Sequence, residues 1–366
     1  MKSKKKILEV CLSPDLGGLE LYMSRCSNEL SKNFDISCVL STKSKLRNFI
    51  GDIKIFEIKR KSSFSIISSF KLARIIDSEN IDIVHLHWTK DIPIVILARI
   101  FSKRNPKIVQ TRHMTMTRFK NDFYHKFLYK NIDTIICITK ALESQIHKFI
   151  PEKIRPKTKL LYLGADETVF LSFEEIEKFK KNLDTQDSFM IGLIGRINEF
   201  KGQYLVIEAM KILRDKGLNI KSYIVGHAMS EVYLQELKQR VIDYKLENCV
   251  KFLGFSKEPT KFMQICDVVV MTSKNETFGL VTIEAMKNKT AVIASNTGGV
   301  LEIIDDKRTG LLFESENYKD LALKIEELYR NTELKEKLTE KAKEKADDCF
   351  DNLKQFEKLN ILFKTI

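Results

Sequence analysis

The stretch FMIGLIGRINEFKGQYLVIEAM, residues 189–210, decides the fold because a strand, a glycine-bounded loop and a helix follow one another within it. FMIGLI is an apolar run of the length typical of a strand buried on both faces. The loop GRINEFKG follows, and helical periodicity then runs from about residue 203 to 216. Strands that lead through short loops into helices build a parallel sheet covered by helices.

The same alternation recurs along the chain. In the first half, strands are predicted at KILEVCL, ISCVLS, IKIFEI, IDIVHLH, KIVQTRH, TIICIT and KLLYLG. In the second half, they are predicted at FMIGLIG, IKSYIVG, VKFLGF, DVVVMTS, AVIAS and TGLLFE. A polar stretch from 165 to 188, with one predicted helix at FEEIEKFKKN, separates the two sets. We therefore expect two doubly wound α/β domains, residues 1–165 and 166–348, and a tail that is helical throughout from about residue 333 to 366.

Charge is distributed unevenly over the 366 residues. Residues 1–164 hold 31 Lys and Arg against 15 Asp and Glu, whereas residues 165–366 hold 31 against 34. The basic half should attract an anionic partner such as a lipid surface or an acidic acceptor. Nucleic acid is disfavoured because the cations are dispersed and no binding module is recognisable. Seven scattered cysteines predict no disulfide framework, and the absence of a long apolar run favours a cytoplasmic protein.

Ligands of open parallel sheets bind at the carboxyl ends of strands, so the strand-to-helix loops are the places to inspect. The first strand ends in SPDLGGLE, where Gly17 and Gly18 let the backbone approach a ligand beside the N–H groups of a helix start. In GRINEFKG, Arg196 and Lys201 follow Gly195 closely enough for both cations to reach one diphosphate. Ordinary turns and solvated surface cations are the alternatives at this point.

KNETFGLVTIE, residues 274–284, raises the question of whether Glu276 and Glu284 act together. We expect Phe278 to Leu280 to form a first helical turn whose free N–H groups suit a phosphate. The two carboxylates could then accept hydrogen bonds from sugar or ribose hydroxyls. A surface loop that leads into an amphipathic helix is the alternative. The next strand ends in NTGGVLE, which adds another glycine pair at the same edge.

Histidines follow two strands of the first half. His113 ends KIVQTRH, and His85 and His87 end IDIVHLH, so we expect His113 and His87 at the edge that faces a ligand. A histidine at a strand end is also commonly structural. No HExxH motif and no pair of aspartates separated by one residue occurs, and a GxxxxGK[ST] loop is absent. These absences favour stabilisation of a leaving diphosphate by Arg196, Lys201 and backbone amides without a metal.

Together these segments resemble a known family. The E-x7-E arrangement in NETFGLVTIEAM, with GRINEFKG, NTGGVLEII, TGLLF, GGLE and TRH, is similar to the retaining glycosyltransferases of family 4, or glycosyl transferases group 1. The resemblance covers about residues 11 to 313. It implies the GT-B fold, in which two Rossmann-like domains face each other across a cleft and a C-terminal helix, here 349–366, returns to the N-terminal domain. One departure is VGHAMS, where Ala228 stands in the second position of a G-x-G.

The resemblance implies a role for each matching residue. Arg196 and Lys201 would hold the donor diphosphate, Glu276 the transferred sugar and Glu284 the ribose, while His113 would face the sugar near the reacting centre. Donor contacts would come from Gly17, Gly18, Gly195, Phe278, Gly279, Leu280 and Glu284. Candidate acceptor or donor contacts are His87, Arg112, Gly226 and His227.

The implied activity is that of a metal-independent, retaining hexosyltransferase without a cofactor. Its donor would be a UDP-sugar by preference, with GDP-mannose as the other option. Its acceptor would be an anionic glycan or lipid-linked glycan of lipopolysaccharide or cell-surface polysaccharide biosynthesis, reached at the inner face of the cytoplasmic membrane. Two alternatives stay open. A nucleotide-sugar isomerase (epimerase) would convert the donor without an acceptor, and a non-enzymatic polyanion-binding protein would show salt-sensitive binding without preference for nucleotide sugars.

Overall fold

The computed structural model describes residues 4–185 and 187–366. The chain forms two compact units. The first comprises Met1–Leu163 together with Leu353–Ile366, and the second comprises Gly164–Asn352. The chain therefore leaves the first unit once and returns to it near its end. No helix in the described ranges is both long and apolar enough to cross a bilayer.

The first unit is built on a parallel sheet of seven strands. They are β1 (Lys6–Cys11), β2 (Asp35–Ser41), β3 (Lys54–Ile58), β4 (Ile83–Leu86), β5 (Lys107–Arg112), β6 (Thr134–Cys137) and β7 (Lys157–Leu160). Their spatial order is β3-β2-β1-β4-β5-β6-β7. The order reverses between β1 and β4, which pair in parallel with Glu9 opposite His85. The α-helices in the N-terminal part of this unit are α1 (Gly18–Leu30), α2 (Ile66–Ser78), α3 (Ile92–Phe101), α4 (Phe123–Lys130) and α5 (Lys140–Phe149).

The second unit repeats this plan with six parallel strands. They are β8 (Phe189–Ile194), β9 (Ile220–Val225), β10 (Val250–Gly254), β11 (Val268–Met271), β12 (Ala291–Ser295) and β13 (Leu311–Phe313), in the order β10-β9-β8-β11-β12-β13. Its helices are α6 (Phe173–Asn182), α7 (Gln203–Asp215), α8 (Glu231–Asp243), α9 (Pro259–Met263), α10 (Leu280–Lys287), α11 (Val300–Ile303), α12 (Tyr318–Arg330) and α13 (Thr332–Cys349). The order reverses between β8 and β11, and a sheet of this kind binds ligands at such a reversal.

Buried apolar residues on both faces of each sheet explain why the strands read as continuous apolar runs. In the second unit, Ile191, Leu193, Val268 and Val270 are buried among residues of α7 and α12. All thirteen strands that the sequence predicts are present, and the α/β class with two doubly wound sheets is confirmed.

The C-terminal tail corrects one prediction, because it is not a single helix. Helix α13 ends at Cys349, and α14 (Asn352–Thr365) begins after a break. At the break Asp351 forms a parallel bridge with Ala165, whose N–H donates to the carbonyl of Phe350 at 2.9 Å. The backbone groups that pair with Ala165 are unavailable for helical hydrogen bonds, so the helix cannot run through.

Candidate active site

The loop between β8 and α7 is held in a defined shape by its backbone. The side-chain Oδ1 of Asn198 accepts a hydrogen bond from the backbone N–H of Lys201 at 3.2 Å. Gly202 has φ +65°, and a Cβ there would lie 2.3 Å from the carbonyl oxygen of Thr272 at the end of β11. The Thr272 hydroxyl in turn donates to the carbonyl of Lys201 at 2.7 Å. Only glycine permits this approach, so the β8 and β11 loops lie against each other beside the reversal of strand order.

Lys201 and Glu276 form an ion pair at this point. The Nζ of Lys201 lies 2.5 Å from Oε2 of Glu276, and the two side chains are 28% and 22% exposed. The Ser273 hydroxyl donates to the same carboxylate oxygen at 3.1 Å. The sequence predicts both residues in the site, with separate duties, but not this direct contact. Arg196 is exposed, and its carbonyl accepts a hydrogen bond from Gln203 at 3.0 Å.

The glycine pair after β12 packs directly against the backbone of the Glu276 loop. Gly298 has φ +66°, and a Cβ there would lie 2.2 Å from the carbonyl oxygen of Glu276. A Cβ on Gly299 would lie 2.2 Å from the carbonyl oxygen of Thr277, and the Gly299 N–H donates to the carbonyl of Glu276 at 2.8 Å. Loops from three strands therefore fix the position of the Glu276 backbone.

Helix α10 begins two residues later than the sequence indicates. Phe278 and Gly279 precede it, and the helix starts at Leu280 because Gly279 adopts φ +101°, outside the helical region. The Phe278 side chain is buried and its ring lies edge-on to that of Phe350 at 6.1 Å. Glu284 lies on α10 and is half-buried. With a glycine as its N-cap, the helix has no side chain there that could cap its first N–H groups.

The loop after β9, which contains VGHAMS, packs on the β8 loop. A Cβ on Gly226 would lie 1.8 Å from the carbonyl oxygen of Gly195, and Ala228 forms a parallel bridge with Ile197. The Ile197 N–H donates to the carbonyl of His227 at 2.9 Å, while the His227 side chain is exposed. This loop therefore buttresses the β8 loop through backbone contacts, and Ala228 is accommodated within them.

In the first unit, Gly17 and Gly18 lie at the start of α1, as the sequence predicts. The structure places His87 differently from the prediction that it lies at the ligand-facing edge. His87 is fully buried, its Nε2 is 2.7 Å from Glu9 Oε2, and its Nδ1 is 3.4 Å from His113 Nε2. Both ring nitrogens are thus engaged inside the protein. His113 itself is half-buried.

Arg112 turns back onto its own loop. It is buried and donates to the carbonyls of Met114 at 2.9 Å and Thr115 at 3.2 Å. These contacts shape the segment that follows His113. Arg112 therefore supports the loop after β5. Any contact of that loop with a ligand must come from other side chains.

Several buried ionisable residues in the described part of the chain escaped the sequence reasoning. Glu9 and Asp91 in the first unit are fully buried, as is Lys287 in the second, which is 2.8 Å from Asp351 and 3.3 Å from Glu167. Burial raises the pKa of Asp91 to about 7, against the smaller effects of the Leu12 N–H and Arg60. A charged residue inside an apolar run was the available signal for Glu9, which interrupts KILEVCL.

Comparison with known proteins gives consistent matches. The family model described as "Glycosyl transferases group 1" matches residues 174–345, and the one described as "Glycosyl transferase 4-like" matches residues 9–139. The capsular polysaccharide biosynthesis glycosyltransferase CapM of Staphylococcus aureus is 26% identical over 348 residues, which cover 91% of this chain and 90% of CapM.

Two further relatives match over nearly their whole length. One is the N-acetylgalactosamine-N,N'-diacetylbacillosaminyl-diphospho-undecaprenol 4-alpha-N-acetylgalactosaminyltransferase of Campylobacter jejuni. It is 26% identical over 359 residues, which cover 92% of this chain and 93% of the relative. Among solved structures, HepE of Anabaena in complex with UDP and glucose has a TM-score of 0.87 at 22% identity, covering 99% of this chain and 100% of HepE.

Proposed function

Because the chain belongs to the group 1, family 4-like glycosyltransferases of the GT-B fold, we propose that it transfers a hexose from a nucleotide-diphosphate sugar with retention of anomeric configuration. The donor is a UDP-sugar in preference to GDP-mannose, in line with the UDP held by HepE. The acceptor is an anionic glycan or lipid-linked glycan of cell-surface polysaccharide or lipopolysaccharide. Two names support this choice: that of CapM refers to capsular polysaccharide biosynthesis, and that of the Campylobacter enzyme refers to a glycan linked to diphospho-undecaprenol.

The observation that carries the proposal is the contact between Lys201 and Glu276 at the strand-order reversal of the second sheet. A cation and a carboxylate that are in contact and each about a quarter exposed can bind the two chemically different parts of a sugar diphosphate. Lys201 and Arg196 attract the diphosphate, and the uncapped N–H groups at the start of α10 add partial positive charge. Glu276 accepts hydrogen bonds from sugar hydroxyls, and Glu284 does so from the ribose.

Catalysis in this proposal comes from stabilising the charge that develops on the leaving diphosphate. Arg196, Lys201 and backbone amides do this with fixed charges and dipoles, which need no rearrangement as the bond breaks. By resemblance to the family, His113 is assigned to the sugar near the reacting centre. No metal is required in this scheme, since the cations supply the charge that a divalent ion would otherwise provide. Activity that persists in excess EDTA is the expected result.

A thermal-shift screen against UDP- and GDP-sugars tests the donor assignment. A ligand that binds the folded state raises the melting temperature in proportion to the logarithm of its concentration over its Kd. We expect UDP-sugars to stabilise the protein more than equal concentrations of uridine. Equal shifts with unrelated polyanions such as heparin, abolished by salt, would contradict the proposal and favour simple polyanion binding.

The partner surface for a membrane acceptor lies on the first unit. The segments 61–71 and 118–126, here called the aromatic–basic patch, expose Phe64, Phe119 and Phe123, of which Phe123 is 88% exposed. The rings of Phe64 and Tyr124 lie 5.4 Å apart, which joins the two segments. The cations Lys61, Lys71, Arg118 and Lys126 are exposed in the same segments. Exposed aromatic rings beside cations suit the boundary between anionic headgroups and acyl chains.

Co-sedimentation with vesicles tests this assignment. Vesicles with anionic lipid should bind the protein, and neutral phosphatidylcholine vesicles should bind it poorly. Phe123→Ser should weaken binding at least about tenfold because insertion of one large apolar side chain contributes about 1.5 to 3 kcal/mol. Leu323→Ser, at a 58% exposed position of the second unit, is the matched control and should bind normally. Equal binding of both variants and the unaltered protein would remove the patch from the membrane contact.

A further inference from the structure

A chain of hydrogen-bonding side chains runs through the first unit beneath His113. Glu9 on β1 contacts two histidines, with Oε1 at 3.0 Å from Nδ1 of His85 and Oε2 at 2.7 Å from Nε2 of His87. His87 then meets Nε2 of His113 through its Nδ1 at 3.4 Å. Glu9, His85 and His87 have no solvent exposure, whereas His113 is half-buried. The chain therefore leads from a buried carboxylate to a partly exposed imidazole.

The direction of each hydrogen bond follows from the carboxylate. Burial raises the pKa of Glu9, but the charges and hydrogen bonds of His85 and His87 outweigh burial and lower it to about 2. An ionised carboxylate only accepts, so the His87 Nε2 that faces it carries the proton. Burial lowers the pKa of His87 to about 4, so the ring is neutral at pH 7 and its Nδ1 is an acceptor.

The direction of the hydrogen bond between His87 and His113 is thereby fixed as well. Since Nδ1 of His87 accepts, Nε2 of His113 must donate to it. Burial also lowers the pKa of His113 well below its usual value, so its ring is neutral. Its Nδ1 then carries a lone pair and no proton. Within residues 4–185 and 187–366 this Nδ1 has no hydrogen-bond partner, which leaves it available to a ligand.

Aromatic packing holds the rings in place. Tyr22 on α1 lies edge-on to His87 at 5.8 Å and to His113 at 5.2 Å between ring centroids. Tyr22 also stacks on Phe356 of α14 at 6.1 Å between ring centroids, within the same unit. Because these rings are fixed by packing, rotation of His113 to exchange its two nitrogens is opposed.

The same cluster does not have the dimensions of a metal site. Glu9, Cys26, His85 and His87 bring their ligand atoms within 4.8 Å of one another. Ligands about 2.0–2.1 Å from a tetrahedral zinc ion lie roughly 3.3 Å apart. The 2.7 and 3.0 Å separations between Glu9 and the two histidines are hydrogen-bond lengths instead. Burial and the charge of Glu9 also raise the pKa of the Cys26 thiol, which opposes the thiolate that zinc requires.

We propose that Glu9 and His87 are positioning residues that fix His113 as the neutral tautomer protonated on Nε2, so that its Nδ1 accepts a hydrogen bond from a hydroxyl of the transferred sugar. The identity of the ligand rests on the proposed function, whereas the tautomer does not. A neutral acceptor at this place orients the hydroxyl without adding a charge beside the developing oxocarbenium ion. An Nδ1–H tautomer would present a donor in place of an acceptor.

The test is the tautomer of His113, read by long-range ¹H–¹⁵N correlation spectra of ¹⁵N-histidine-labelled protein. The chain has six histidines, so the His113 signals can be assigned with a His113→Gln variant. The unaltered protein should show Nε2 protonated and Nδ1 unprotonated from pH 6 to 8. Nδ1–H as the main form, a charged ring in this range, or stoichiometric zinc in the purified protein would each overturn the proposal.

Two variants separate positioning from simple structural support. His87→Phe removes the acceptor, so the Nδ1–H form of His113 should become measurably populated and kcat should fall about tenfold, as expected for one lost hydrogen bond in the transition state. Thr111→Val breaks the 2.7 Å contact to His85 in the same buried network and should leave the His113 tautomer unchanged. If both variants change the His113 tautomer equally, or neither does, the proposed positioning role of Glu9 and His87 is wrong. Glu9→Leu, which removes the acceptor of the His87 Nε2–H, gives a second test of the His113 tautomer should His87→Phe fail to fold.

These readouts keep the two proposals distinct. If His113 shows the expected tautomer but the protein transfers no sugar from any nucleotide sugar, the proposed function is refuted. The positioning of His113 by Glu9 and His87 is then still supported. If His87→Phe alters the His113 tautomer but leaves transferase activity unchanged, the tautomer is unimportant for catalysis. The proposed function is not affected by that result.

Discussion

The two units share one sheet plan but differ in the exposure of the ionisable side chains on their strands and in the loops that follow them. In the first unit Glu9, His87 and Asp91 are fully buried and their pKa values are shifted. In the second unit Lys201 and Glu276 remain about a quarter exposed and Arg196 is on the surface. The first arrangement fixes protonation states inside the fold, and the second leaves charges accessible to a ligand.

This difference indicates where each kind of effect should be measured. Removing a buried ionisable group of the first unit should change stability and its pH dependence. Removing an accessible cation of the second unit should change ligand binding and rate while the fold persists.

Lys201→Ala should slow transfer by about 30-fold to 150-fold, because loss of a charged contact to the leaving diphosphate costs roughly 2 to 3 kcal/mol in the transition state. The measurement is kcat/KM with saturating acceptor. Arg196→Ala should have an effect of similar size. Lys251→Ala, at an exposed position on the edge strand β10, is the matched control and should retain full activity. A folded Lys201→Ala protein with normal turnover would remove the diphosphate assignment.

Asp91→Asn should raise stability at high pH. The pKa of Asp91 is raised from 3.8 to about 7, so its contribution to stability is complete below pH 3.8 and is lost as the pH rises through 7. The neutral amide avoids this loss. Relative to the unaltered protein, the variant should therefore gain about 3 kcal/mol between pH 5 and pH 8. Urea denaturation at the two pH values measures the gain.

An exposed carboxyl provides the control for this change. Asp215→Asn on α7 should show no comparable dependence on pH, because its side chain is 55% exposed. If Asp91→Asn and the unaltered protein keep a constant stability difference from pH 5 to pH 8, the buried carboxyl does not titrate in this range and the contrast between the units is weakened.

Gly298→Ala and Gly217→Ala form a pair that isolates the support of the Glu276 loop. Both glycines have positive φ, +66° and +73°, so both substitutions add about 1 kcal/mol of backbone strain. Only Gly298 would place its Cβ against the Glu276 carbonyl, since Gly217 has open space around it. Gly298→Ala should therefore lose at least fivefold more activity than Gly217→Ala, as assayed by donor turnover. Equal losses would show that the position of the Glu276 backbone is unimportant.

The sequence predicted the fold well because its signals are local. Apolar runs of strand length separated by helical periods are dictated by burial on both faces of a parallel sheet, and all thirteen strands follow from them. The break at Phe350–Asp351 could not be predicted this way. It depends on a backbone bridge to Ala165, which is distant in sequence and leaves no periodic mark.

The candidate site was predicted in its parts but not in its connections. Loops at strand ends, glycines and charges indicated Lys201 and Glu276, but their ion pair depends on how Gly202 and Gly298 bring two backbones together. His87 was placed at a ligand-facing edge because a strand end gives no information on depth. The burial of His87 follows from its pairing with Glu9. Glu9 lies on β1 and pairs also with His85 on β4, which is 76 residues away in the sequence.

Calorimetric titration of UDP and uridine into the unaltered protein and Lys201→Ala tests the central claim most directly. If Lys201 binds the diphosphate, the unaltered protein should favour UDP over uridine strongly, and Lys201→Ala should reduce that preference at least tenfold, about 1.4 kcal/mol, while uridine binds unchanged. A variant that loses affinity for UDP and uridine equally, or that keeps the full preference for UDP, would contradict the account.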